Sequence, residues 1–139
     1  MEIIAAVFMD DIELRSVPGP STRIDLAGIQ FSAPAPAPVP TTVAPHLVVL
    51  VWNPPTDGDG NDSKSFGALE VVFRPLDGDP DAEPLARNVQ PLEIEPGKFN
   101  YRLVRADLPF DDYGTVIAHC SLDGGPSQPV PYTLLPPVE

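Results

Sequence analysis

Apolar and polar residues alternate with a period of two along most of the chain, as in β-strands that face a core on one side. In the clearest run, Phe99, Tyr101 and Leu103 alternate with polar residues. One run, 46–53, is apolar on both sides, and we therefore expect a central strand that is covered on both faces. Strands are predicted over residues 2–9, 24–31, 46–53, 68–74, 85–94, 98–105, 114–122 and 130–135.

Turn residues separate these runs, and no stretch sustains helical spacing for three turns. The pattern predicts an all-β protein with one domain over residues 1–139: an antiparallel β-sandwich of seven or eight strands, immunoglobulin-like or C2-like in architecture. A closed barrel is the alternative. Prolines interrupt run 85–94 and bracket run 130–135, so we expect both to be edge strands.

A proline-rich segment lies inside the domain. Between Ala33 and Pro40, proline occupies every second position. Each ring fixes φ and removes a backbone donor, so the segment favours an extended path. We interpret residues 32–45 as a stiff proline-rich connection between two strands. The alternative is a ligand for an aromatic groove on a partner.

Composition and charge narrow the classes of partner and compartment. Eight Lys and Arg residues against twenty Asp and Glu give a net charge of −12, which argues against nucleic acid and favours basic partners. Cys120 is the only cysteine, so no intramolecular disulfide forms. The apolar run 3–9 is too short for a signal sequence or a bilayer span. We therefore expect a cytoplasmic protein without membrane contact.

Two acidic loops, residues 57–62 and 77–81, alternate aspartate with glycine or proline in the manner of a calcium loop. Neither has the glycine and glutamate that the helix-loop-helix version requires. Calcium can still bind between loops of a β-sandwich, and the candidate ligands are Asp57, Asp59 and Asp123. No other cofactor is expected. The strand between the two loops is about 20 Å long, so they should lie at opposite ends of the molecule. If every connection reverses the direction of the chain, the loop at 57–62 shares its end with Asp10, Asp11, Glu95 and Asp123, and the loop at 77–81 shares the other end with Asp107, Asp111 and Asp112.

Candidates for catalysis are few. His119 precedes Cys120, but adjacent strand residues point to opposite faces, so we expect a buried thiol and a solvent-facing imidazole. Asp10 and Asp11 are the best pair of carboxylates for acid–base chemistry. The sequence contains no nucleophile elbow, phosphate-binding glycine loop or paired-cysteine motif. We therefore expect a protein that is not an enzyme.

Four short motifs follow one another along the chain. They are a strand that ends in aspartate at residues 5–10, Leu-x-Gly within residues 24–29, a hydrophobic strand with tryptophan at residues 47–52, and strand 114–122 followed by Asp123-Gly124. In this combination the chain resembles an uncharacterised bacterial β-sandwich family of unknown function. The resemblance implies one small β-sandwich and no particular activity.

These observations favour a non-enzymatic binding or assembly module whose partner is another protein or a second copy. Two strands have more apolar residues than a small core needs, and we expect a loop, a second copy or another protein to cover their outer faces. Those outward residues are predicted to be Ile4, Ala6, Phe8, Val48, Leu50 and Trp52. The alternatives are a calcium-dependent binder or hydrolytic enzyme that uses an acidic loop end, and a structural component of a larger bacterial or phage assembly.

Overall fold

The computed structural model describes residues 1–16 and 22–138, which form twelve strands and no helix. The all-β class is confirmed, whereas the seven- or eight-stranded sandwich of immunoglobulin-like or C2-like type stays a prediction. No helix in the described part of the chain is suited to cross a lipid bilayer. The strands are β1 (Glu2–Met9), β2 (Asp11–Ser16), β3 (Thr22–Ala27), β4 (Ser32–Pro34), β5 (Thr41–Val43), β6 (His46–Trp52), β7 (Phe66–Pro75), β8 (Ala86–Glu93), β9 (Phe99–Arg105), β10 (Leu108–Phe110), β11 (Gly114–Leu122) and β12 (Gln128–Leu135).

Two larger sheets carry most of the strands. The first has three antiparallel strands in the order β1-β6-β9. The second has five strands in the order β4-β12-β11-β7-β8, antiparallel except for the parallel pair β12 and β4. Strands β2 and β3 form a hairpin, and β5 pairs with β10.

One hydrophobic core receives alternate side chains from both larger sheets. The three-stranded sheet contributes Leu47, Val49, Val51 and Val104, and the five-stranded sheet contributes Leu69, Val71, Phe73, Leu92, Val116, Ala118, Cys120, Val130, Tyr132 and Leu134. The ring of Phe8 in β1 lies 5.1 Å from the ring of Tyr132 in β12, centroid to centroid. This pair joins the two sheets directly.

The predicted outward direction of two side chains in β1 was wrong. Ala6 and Phe8 point into the core and not outward with Ile4. The pairing of β1 with β6 shifts register between Ile3 and Ala5, which is a β-bulge. The bulge puts Ile3 on the core side with Ala6 and leaves Ile4 exposed.

Of the two strands predicted to lie at edges, only one is an edge strand of the five-stranded sheet. Strand β8 lies at an edge, as the proline at position 91 indicated. Strand β12 does not, because β4 pairs with its last three residues, 133–135. Strand β4 belongs to the proline-rich connection, which next buries Ala35 in the core and donates a hydrogen bond from Ala35 N to Leu135 O, at 2.8 Å. Residues 32–45 thus extend the sheet as well as linking strands.

Candidate functional site

The thiol and the imidazole of β11 lie on opposite faces of the sheet. Cys120 is fully buried in the core, and burial raises the pKa of its thiol to about 12. His119 is half-buried and lines a shallow depression on the outer face with Glu70 and Arg74. The strand geometry therefore separates the two groups, as the alternation predicted.

The two acidic loops lie at opposite ends of the molecule. Asp57 lines a cleft with Asp123 at one end, whereas Asp77 lines a groove with Asp111 and Asp112 at the other. The pairing of β1 with β6 places Met9 beside His46, so Asp10 and Asp11 follow at the end of β6 opposite the Asp57 loop. The carboxylates of Asp10 and Asp11 have different partners. Asp10 Oδ1 accepts a hydrogen bond from Gln30 Nε2, and Asp11 Oδ1 accepts one from Ile12 N.

The cleft at the Asp57 end has a volume of about 600 Å³ and is called the Asn53 cleft below. It brings together two of the three predicted calcium ligands, since Asp57 and Asp123 line it and Asp59 does not. Six of its lining residues matter for its chemistry: Glu2, Asn53, Asp57, Lys64, Phe66 and Asp123.

Different contacts hold the two aspartates of the cleft. Asp57 Oδ1 accepts hydrogen bonds from the backbone N–H groups of Asp59 (2.8 Å) and Asn61 (3.0 Å), which fixes its own turn. Asp123 Oδ1 accepts from Ala68 N of β7 at 2.8 Å, and the backbone of Asp123 has a left-handed φ of 50°. Each carboxylate therefore uses one oxygen in these bonds and keeps its second oxygen for other contacts.

Asn53 is the buried polar residue of the cleft. Its side chain is 0% exposed, and Nδ2 donates to the carbonyl oxygens of Lys64 (2.9 Å) and Ile94 (2.7 Å). These two acceptors fix the orientation of the amide. Oδ1 is buried and has no hydrogen-bond partner among the described residues. A buried acceptor without a partner costs about 1–3 kcal/mol, so this atom requires an explanation.

Asn53 was not predicted from the sequence. The available signal was a polar residue directly after an apolar strand and before Pro54 and Pro55. That signal is typical of a strand end and gives no hint that the side chain is buried.

The carboxylates of the cleft do not converge on one point. Within residues 1–16 and 22–138, no group of three or more His, Cys, Asp or Glu side chains is placed to hold a metal ion. Calcium usually takes six to eight oxygen ligands. The calcium site at Asp57, Asp59 and Asp123 therefore stays a prediction that the geometry does not strengthen.

A second feature is the outer face of the three-stranded sheet. Trp52 lies directly opposite Phe99, and Leu50 lies opposite Tyr101. Trp52 is 37% exposed, Phe99 41% and Leu103 46%, while Leu50 and Tyr101 are half-buried. These five residues are called the apolar face below. Three large apolar side chains are thus exposed to water on one side of two paired strands.

The free edge of this sheet is occupied by side chains. On β9, Tyr101 N donates to Asn100 Oδ1 at 2.8 Å, and Arg102 Nη1 donates to Tyr101 O at 2.9 Å. Further along, Gln90 Nε2 of β8 donates to Leu103 O at 3.0 Å. These bonds satisfy backbone groups that an additional strand would otherwise use.

Comparison with known proteins gives no relative from which a role can be transferred. No family model matches the chain, and no curated protein or solved structure matches it either. Any function must therefore be argued from the cleft and the apolar face themselves.

Proposed function

We propose that this chain is a non-enzymatic assembly module that binds a second copy of itself through the apolar face. The observation that carries the proposal is the exposure of Trp52, Phe99 and Leu103 on one side of the three-stranded sheet. Contiguous exposed apolar surface marks interaction sites, and aromatic residues are enriched in interfaces. Covering this face removes large apolar side chains from water, which stabilises the assembly.

The edges of the sheet favour docking on its face over the addition of a strand. Edge pairing at β9 would have to displace the side-chain bonds to Tyr101 and Leu103. On β1, the bulge between Ile3 and Ala5 interrupts a regular edge. Both features leave the outer face as the accessible apolar surface of this sheet.

The charges at the two ends of the sheet support a second copy as the occupant. Glu2 lies opposite Trp52 at one end, whereas His46 lies opposite Arg105 at the other. The two ends are about 20 Å apart, six residue steps along β6. A twofold axis that stacks two faces with antiparallel strands brings Glu2 of one protomer to the end of the partner's sheet that holds His46 and Arg105. Such a self-complementary contact is the usual form of a dimer interface.

Sedimentation velocity tests the proposal across a roughly hundredfold range of protein concentration, because association follows mass action. We expect a monomer–dimer equilibrium for the natural chain. Leu103→Glu should shift it to monomer, because it places a charge in the interface. Val89→Glu is the matched control, since Val89 is a similarly exposed strand residue on the outer face of the five-stranded sheet.

A natural chain that stays monomeric throughout would overturn the proposal, as would equal weakening by both variants. Species larger than a dimer would contradict a closed twofold contact and favour a component of a larger assembly. Circular dichroism establishes that both variants remain folded.

A further inference from the structure

We propose that the Asn53 cleft binds a positively charged side chain, that of arginine, presented by a peptide segment of a partner. The site is separate from the apolar face and shares only Glu2 with the proposed contact between copies. The inference rests on a buried acceptor without a partner, an excess of carboxylates and an exposed aromatic ring in the same cleft.

The buried acceptor indicates which kind of chemical group would complete the hydrogen bonding of the cleft. Asn53 Nδ2 is committed to the carbonyls of Lys64 and Ile94, so the amide cannot turn over to satisfy Oδ1 from within. Oδ1 accepts hydrogen bonds only, and no described residue donates to it. The missing group is therefore a donor or a cation, and not an anion.

The charges of the cleft select a cation. Among the side chains of the cleft, Glu2, Asp57 and Asp123 contribute three negative charges, against one positive charge from Lys64. Asp57 and Asp123 form no ion pair in the described part of the chain, and each keeps one carboxylate oxygen outside its hydrogen bonds to backbone N–H groups. A donor that enters the cleft can therefore form charge-assisted hydrogen bonds, which are stronger than neutral ones.

Shape favours a guanidinium over a metal ion. The carboxylates are spread along a cleft of about 600 Å³ and do not meet at one point. A guanidinium has five N–H donors in a planar fork and can reach several separated acceptors. Phe66 lines the same cleft and is 72% exposed, so its ring offers a surface for a cation. Planar cations stack on such rings.

A titration monitored by amide NMR tests the site, with the peptide acetyl-Gly-Arg-Gly-amide as the probe. We expect saturable shifts of the Asn53 side-chain amide and of the backbone amides of Asp57 and Asp123. The same peptide with citrulline in place of arginine keeps the shape and loses the charge. It should bind at least about tenfold more weakly, a difference of about 1.4 kcal/mol.

A double variant distinguishes the effect of the cleft carboxylates on peptide binding from the effect of the overall net charge. Asp57→Asn with Asp123→Asn removes two charges and keeps an oxygen to accept each backbone hydrogen bond, and asparagine tolerates a left-handed φ. The matched control is Asp77→Asn with Asp111→Asn, which changes the net charge equally at the opposite end. We expect the cleft variant to weaken arginine binding about tenfold or more and the control less than about twofold.

Three results would overturn the proposal: equal affinity for the citrulline peptide, equal weakening by both double variants, or no saturable shift at Asn53. Calcium is titrated separately. If calcium shifts the same amides and the arginine peptide does not, the cleft is a metal site instead. Leu103→Glu should leave peptide binding unchanged, so failure of this site and failure of the dimer are distinguished.

Discussion

The outer faces of the two larger sheets are built from the same alternation but differ in chemistry. On the five-stranded sheet, Glu70 and Arg87 form an ion pair across β7 and β8, and the hydroxyls of Thr115 and Thr133 lie 2.7 Å apart across β11 and β12. On the three-stranded sheet, the corresponding outward positions hold the five residues of the apolar face and Val48, which is fully buried.

The contrast is one of arrangement. On the five-stranded sheet the exposed apolar residues Phe66, Val89 and Leu135 do not lie opposite one another, whereas on the three-stranded sheet Trp52 lies directly opposite Phe99. The exposed rings of Trp52 and Phe99 remain hydrated until another apolar surface removes them from water. The inner faces give no such contrast, because both enter one core.

The largest expected effect tests whether the two sheets do share that core. Phe8→Ala should lower the free energy of unfolding by about 3–5 kcal/mol, because the ring is buried against Tyr132 of the other sheet. Urea denaturation measures the change. Phe31→Ala is the control, because that ring is exposed, and it should cost less than about 0.5 kcal/mol. Similar losses in both variants would show that the sheets do not depend on one core.

Asn53 connects the end of β6 to the segments beside β7 and β8. Asn53→Ala leaves the carbonyl oxygens of Lys64 and Ile94 without their donor but also removes the unpartnered Oδ1, so we expect a net loss of about 1 kcal/mol of stability. Thermal unfolding followed by circular dichroism measures it, with the exposed Asn61→Ala as control. An unchanged melting temperature would mean that the two sheets are held together without this link.

Alkaline pH should lower the stability of the protein through Cys120, which lies on the inner face of the five-stranded sheet. Burial disfavours the thiolate and raises the pKa of this thiol from its ordinary value of 9.0 to about 12. Above pH 9 the unfolded chain releases this proton while the folded chain keeps it, so stability falls as pH rises toward 12. The expected slope is about 1.4 kcal/mol per pH unit.

Cys120→Ala isolates this contribution, because the other titrating groups are common to both proteins. Urea denaturation between pH 8 and pH 10.5 should show a steeper decline for the natural chain than for the variant. Parallel curves would mean that the thiol is accessible to water in the folded state.

The smallest effect concerns the polar outer face. Glu70→Gln removes one charge from the exposed pair with Arg87 and should cost less than about 1 kcal/mol, because solvent screens surface ion pairs. Urea denaturation at low and high salt measures it. A loss of several kcal/mol would contradict the view that this face is an ordinary hydrated surface.

Several features could be predicted from the chain because they depend on neighbouring residues alone. The opposite directions of His119 and Cys120 follow from strand geometry. The prolines near β8 indicated an edge strand, because proline lacks the donor that a central strand needs. The bulge in β1 was not predictable in this way, since no residue between Ile3 and Ala5 marks it.

The Asn53 cleft could be predicted only in part. Counting reversals of the chain brought Asp57 and Asp123 to one end, which is where they lie. The same count placed Asp10 and Asp11 there too, and this was wrong because residues 32–45 do not reverse the chain: Gln30 and β6 both pair antiparallel with β1. Asp59, although close to Asp57 in the chain, does not line the cleft.

The all-β class and the faces of most strands follow from the sequence alone, because the alternation of side chains is a local property of extended backbone. The pairing of the proline-rich segment with β12 and the set of polar groups around the cleft could be seen only in the folded protein. Those features depend on contacts between distant positions: Asn53 and Ile94 are 41 residues apart, and Ala68 and Asp123 are 55 apart. No local pattern encodes such pairings, since they form only when the sheets enclose their common core.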